Sequence, residues 1–291
     1  MERKWEELSP DEKREEMFQK WLSAEGVKFA SPESEKTYKE RATRLKDAIE
    51  LKKLPDRVPI FTIYGFYPAS YAGFTNQEVM YDYDKCVVAW NKYVLDFAPD
   101  AHIGAVVPGP GKLFDVLDYK LYSWPGHGVA PEHSYQCNEG EYMKADEYDA
   151  FIEDPSNFYS NTYLPRIFGA LQGFTATSLN NVLEMYGAGY NFIPFGLPPV
   201  QAAYKAIFEA GAEALKWVGA ISAHAADMAA AGFPAFWDGP AKPPFDMIGD
   251  TFRGTKGIML DMYRQPDKLL KAMEVMTRLE LTMAMGSVKA S

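Results

Sequence analysis

The sequence predicts an α/β architecture built from parallel strand–helix units, and three observations predict it. Val58-Pro59-Ile60-Phe61-Thr62-Ile63-Tyr64 is short, apolar and rich in β-branched residues, the pattern of a buried strand. A helical stretch, Asn76 to Phe97, separates it from a second apolar run, Ala101 to Val107. A third run, Pro234 to Trp237, follows a long Ala-rich helix, Val200 to Ala231. Strands alternating with helices pair in parallel rather than as hairpins. The three runs are therefore expected in one sheet, with Val200–Ala231 packed on its outer face.

The remaining elements follow in order. Residues 1–55 read as a charged helical extension, and residues 56–291 as the α/β body. Ser9-Pro10-Asp11-Glu12 is a helix start, with Pro in the first turn and acids at the positive end of the dipole. A second helix follows Ser31-Pro32-Glu33 and runs to about Leu54. Gly65 to Gly73 reads as a loop, and Lys112 to Asn138 as irregular chain around Trp124-Pro125-Gly126-His127-Gly128. Asp146 to Tyr163 is helical with an interruption at Asp154-Pro155, and Arg166 to Met185 is helical. A last helical stretch spans Gly257 to Met285, with a break near Pro266.

Composition narrows the function classes. With 40 acidic and 30 basic side chains the formal charge is −10, and the one basic run, Lys39 to Lys53, is interleaved with acids. A nucleic-acid partner is not expected. The N-terminus has no apolar signal core and no run of about 18 apolar residues occurs, so a cytoplasmic protein without a membrane span is expected. Cys86 and Cys137 do not make a disulfide framework, and Cys86, in an apolar helical run, reads as core packing.

Four segments carry a resemblance. Arg44 to Phe61 (RLKDAIELKKLPDRVPIF), Glu141 to Phe158 with Leu164-Pro165-Arg166, and Arg253 to Glu274 resemble, in that order, stretches of the uroporphyrinogen decarboxylase superfamily. The resemblance implies a (β/α)8 barrel with its site at the carboxyl ends of the strands. Three strands fall short of eight, so the chain is expected to supply the N-terminal part of such a barrel, completed by a missing C-terminal half, a second polypeptide or a second copy.

The superfamily holds two chemistries: cofactor-free decarboxylation of uroporphyrinogen, and methyl transfer to or from corrinoid proteins, commonly with a zinc-bound thiol. The decarboxylase pattern has an arginine pair after the first strand and an acid after the second. Here Ile63 to Tyr71 contains neither Arg nor Lys, and Val106-Val107-Pro108-Gly109 contains no acid. Without those groups an octa-anionic tetrapyrrole lacks its bidentate partners. The expected activity is therefore that of a methyltransferase component, passing a methyl group between a small or aryl methyl donor and a corrinoid protein or thiol. A decarboxylase acting on another substrate, or a non-catalytic half-barrel, is the alternative. The family's His-x-Cys zinc motif is absent from the four histidine contexts, so zinc is expected on a later part of the barrel and not in this chain.

Tyr64 and Tyr67, at the exit of the first strand, are candidate substrate-binding residues, with loop packing as the competing role. Trp237 and Asp238 follow the third strand. Trp237 is a candidate substrate contact and Asp238 a candidate catalytic carboxylate, or else a loop cap. His102, second in its strand, reads as a structural histidine far from the exit. His224, in the Ala-rich helix, reads as a packing or solvent-facing residue. His133 and Cys137, four apart, offer too few ligands for zinc.

Overall fold

The computed structural model describes residues 5–61, 63–177, 184–236 and 241–290, and the protein it shows is mixed α/β and mostly helical. The chain divides into two compact units, one of Met1–Gly109 with Val218–Trp237 and one of Pro110–Trp217 with Asp238–Ser291. The long helix Pro198–Ala230 spans the sequence division between them.

The first unit opens with helix α1 (Pro10–Ser23), whose start is a complete capping box. Ser9 Oγ accepts from Glu12 N–H, and Glu12 returns the bond to Ser9 N–H. Helix α2 (Pro32–Glu50) is capped by Ser31, whose Oγ accepts from Ser34 N–H, and ends where Leu51 turns left-handed, a few residues before the expected Leu54. Tyr38 and Ala42 bury one face of α2, with Phe29 edge-on to Tyr38. Arg41 lies over the Phe233 ring and donates to the Gly232 carbonyl at 2.6 Å. Gly232 has φ +92°, and a Cβ there would lie 2.6 Å from the Ser34 carbonyl oxygen. Gly232→Ala is therefore expected to cost about 2 kcal/mol or more, read as a drop in the denaturation midpoint.

The three expected strands do pair in parallel, but far more briefly than their apolar runs suggest. Phe61 bridges Ala101, and His102 bridges Ala235. The supporting bonds are Asp100 N–H to the Ile60 carbonyl, His102 N–H to the Pro234 carbonyl and Phe236 N–H to the His102 carbonyl. Pro59 and Pro234 have no N–H to give, and Gly104, at φ +75°, turns the second segment away after two residues. The buried Asp100 carboxylate pins the start, accepting from Arg44, from both terminal nitrogens of Arg57 and from Ile60 N–H. The segment expected to be a loop, Gly65 to Gly73, instead holds a short helix, α3 (Tyr67–Tyr71). The stretch Asn76–Phe97 is two helices, α4 (Asn76–Tyr81) and α5 (Tyr83–Phe97), because Asp82 is extended and caps the second by accepting from Lys85 N–H.

In the second unit the region read as irregular contains the one multi-residue sheet among the described residues. Strand β1 (Tyr122–Pro125) lies between β2 (Gly128–Val129), parallel to it, and β3 (Gln136–Cys137), antiparallel. Its strands are two to four residues long, too short for a periodic pattern to show. Helices Tyr148–Glu153 and Pro155–Phe158 meet at Asp154, whose carboxylate caps the second, as the Asp-Pro pair predicts. The expected helix from Arg166 is broken at Phe168, which is extended, and resumes as the 3-10 stretch Gly169–Ala176. Helices Gly254–Arg264 and Pro266–Ala290 are separated at Gln265, the break that Pro266 predicts. Their apolar faces join Met143, Tyr148, Phe151, Phe158, Tyr163 and Phe252 in the core. Among the described residues no closed barrel forms.

Candidate functional site

Because the strand pairing is parallel, the carboxyl ends of all three segments lie on one side of the first unit. Two groups of side chains lie there: a buried histidine pair after the second segment, and an aromatic cluster after the first.

His102 is not remote from the exit, as its place in an extended Ala101–Val107 strand would require. Gly104 ends the pairing immediately, so His102 is itself the exit residue. The turn also sets its protonation. Gly104 N–H donates to His102 Nδ1 at 3.1 Å, so the imidazole proton resides on Nε2. His224, one face of the long helix turned inward, is fully buried rather than solvent-facing. Its ring stands 5.2 Å from that of His102, at 80°. Asn91 of α5 donates through Nδ2 to the Asp227 carboxylate at 3.1 Å, which turns its carbonyl oxygen toward His224 Nδ1, 2.5 Å away. His224 therefore donates from Nδ1 and keeps a lone pair on Nε2. The two rings are opposite tautomers, and among the described residues neither Nε2 has a hydrogen bond of good geometry. Burial holds the pKa of His102 down at about 4, opposed in part by the Phe233 carbonyl. Burial and then the neighbouring His102 hold His224 at about 3. Both rings are neutral at physiological pH, so the pair offers one uncharged donor and one uncharged acceptor. Cys86, also buried, faces the Ala105 carbonyl; burial pushes its thiol up to about 12, so it is no thiolate nucleophile.

The two candidate tyrosines part company. Tyr64 is buried, its ring 4.5 Å from Tyr93. Tyr67 is 54% exposed and shares the same neighbour at 5.8 Å. Tyr67 and Tyr71 stack with each other at the i, i+4 spacing of α3, and Tyr93 and Phe97 do so on α5. The two pairs meet edge to face. Trp237 and Asp238 lie outside the described residues.

A large, charged concavity of about 810 Å³ lies along α2, lined by Lys36, Lys39, Arg44, Lys53 and their acids. Its cations are paired within the protein, Lys39 with Glu35, Arg44 with Asp56, Lys53 with Asp47 and, at 3.8–4.0 Å, Lys36 with Glu33 and Glu40. Among the described residues no three His, Cys, Asp or Glu side chains are grouped to hold a metal ion. No helix of the described residues is long and apolar enough to cross a membrane.

No protein-family model, curated protein or solved structure matches the chain.

Proposed function

We propose that the first unit supplies the opening strands of a barrel of the uroporphyrinogen decarboxylase type and works as a cytoplasmic methyltransferase component. The observation that carries the reading is the aromatic exit of the first parallel segment. There Tyr64, Tyr67, Tyr71, Tyr93 and Phe97 gather, and residues 63–71 bring no Arg or Lys. Such a surface suits a small or aryl methyl donor; its lysine, Lys92, is paired with Asp96, and the loop lacks the arginines that grip a polycarboxylate bidentately. The order of the segments, Phe61 beside Ala101 and His102 beside Ala235 with helices between, supports the barrel. The outer edges of this three-segment sheet have no strand partner among the described residues, so the reading includes further strands from a second polypeptide or a second copy.

The chemistry would be displacement at a methyl carbon. The donor's bond to its methyl group breaks, the donor atom keeps the electron pair, and the acceptor nucleophile, a reduced corrinoid or a thiolate, forms the new bond. This chain would position the donor on the aromatic exit. With a phenyl methyl ether as donor and cob(I)alamin as acceptor, methyl transfer followed by loss of the cob(I)alamin absorption is expected above the uncatalysed rate. Tyr67→Ala is expected to lower kcat/KM about tenfold with the circular dichroism unchanged. Coproporphyrinogen formation from uroporphyrinogen, or transfer indifferent to Tyr67→Ala, would overturn the proposal.

A further inference from the structure

The aromatic exit already carries an ammonium group of its own. Lys92 Nζ lies over the Tyr71 ring, 4.7 Å from its centre, and donates to Asp96 Oδ2. Tyr71 Oη donates to the same oxygen at 3.0 Å. Burial plays little part in this. Hydrogen bonds from Lys92 and then Tyr71 hold the Asp96 carboxyl below its ordinary value, so it is ionised at neutral pH. One ammonium therefore meets both an aromatic face and a carboxylate, the two groups that recognise such a cation.

Other lysines lie over rings here too, Lys46 over Phe18 and Lys85 over Phe74. Lys92 differs in what surrounds it. Tyr71 is one of four rings in mutual contact, and three of them face water: Tyr67, Tyr71 at 37% and Phe97 at 49% exposure. Exposed aromatic surface gathered in one patch is costly to leave bare and marks a recognition site. The lysine itself is half exposed on a flexible stem, and a surface ion pair of this kind contributes little to stability. It is easily displaced.

We propose that this patch binds methylated ammonium groups, with Lys92 occupying the place of the ligand in its absence. A quaternary ammonium is larger and less strongly hydrated than a lysine ammonium. It gives up less to water and touches more ring surface, so the aromatic faces favour it, while Asp96 supplies the counter-charge. Resting on the methyltransferase reading, the proposal names the class of donor, a methylated amine; the binding itself needs no turnover.

The test is titration of the full chain with choline, followed by NMR shifts of the tyrosine ring protons, against 3,3-dimethylbutan-1-ol, its uncharged isostere. Choline is expected to bind and the alcohol not to bind. Lys92→Met, which vacates the patch, is expected to tighten choline binding several-fold. Tyr71→Leu and Asp96→Asn, both at exposed positions, are each expected to weaken it about two- to fivefold. Equal binding of the alcohol, or no tightening in Lys92→Met, would overturn the proposal. Methyl transfer from phenyl methyl ethers without choline binding would leave the methyltransferase reading standing and remove this one.

Discussion

Lowering the pH from 7.5 to 5 is expected to cost the first unit about 4 kcal/mol of stability, through two side chains. In the unfolded chain His102 and His224 titrate near 6.5; in the fold burial lowers them to about 4 and about 3. Between those limits the unfolded state binds more protons than the folded state, so stability rises with pH. It is fully present above about 6.5 and lost as the pH falls below. At pH 5 each histidine forfeits about 1.5 pH units at about 1.36 kcal/mol each, or about 2 kcal/mol. Carboxylates held low by their partners, such as Asp56 and Glu78 at about 2, contribute only below the unfolded carboxylate range of about 4, outside this window. Chemical denaturation of wild type, His102→Phe and His224→Leu at the two pH values isolates the effect. Each variant is expected to show about half of the wild-type loss between pH 7.5 and 5, whatever its stability at 7.5. A double variant with the full acid loss would show that the pair is not its source.

The parallel segments were legible from composition: the second is apolar and buried, whereas the first is β-branched but, against the expectation of a buried strand, exposes Val58, Ile60 and Ile63. Their length was not. The apolar run Ala101–Val107 continues past the point where Gly104 turns the chain, and nothing in hydrophobicity separates a strand residue from a buried turn residue. That error displaced His102 from the exit to the middle of a strand. His224 was visible only as a histidine in an Ala-rich helix. Its inward face could have been found from Met228, four residues on and also buried, but its approach to His102 depends on contacts 122 positions apart in the chain. The aromatic exit was half legible. Tyr64 and Tyr67 announce themselves after a strand, whereas Tyr93 and Phe97 look like ordinary core positions of α5 until α3 brings Tyr67 and Tyr71 against them. The small sheet at Tyr122–Cys137 was illegible for a simpler reason: segments of two to four residues, rich in Gly and Pro, carry the composition of loops.

Removing one partner of the Arg253–Asp261 pair is expected to give the largest loss of stability in the second unit, about 3–5 kcal/mol. Both side chains are 2% exposed, and Arg253 Nε donates to Asp261 Oδ2 at 2.6 Å. The remaining groups are satisfied as well. Arg253 Nη1 reaches the Met143 carbonyl, while Tyr148 Oη and Gln265 Nε2 donate to the carboxylate at 2.9 and 3.0 Å. The network ties the helix Gly254–Arg264 to the chain around Met143 and Tyr148, against the core that Phe151 and Phe252 fill. Burial alone would raise the Asp261 pKa, but the bonds from Arg253, Gln265 and Tyr148 outweigh it and hold the carboxyl below its ordinary value. The folded value lies below the unfolded one, so this contribution is present above about pH 4 and is lost only as the pH falls further. Asp261→Ala strands a buried guanidinium, and Arg253→Met strands a buried carboxylate; each pays the desolvation of its orphan. Replacing both with apolar residues removes the two charges together, so Arg253→Met/Asp261→Leu is expected to cost much less than the sum of the single changes. Urea denaturation of the four proteins in a double-mutant cycle measures the difference. Additive losses would mean that the two charges do not depend on one another, and the tie between Gly254–Arg264 and Tyr148 would then have to come from apolar packing alone.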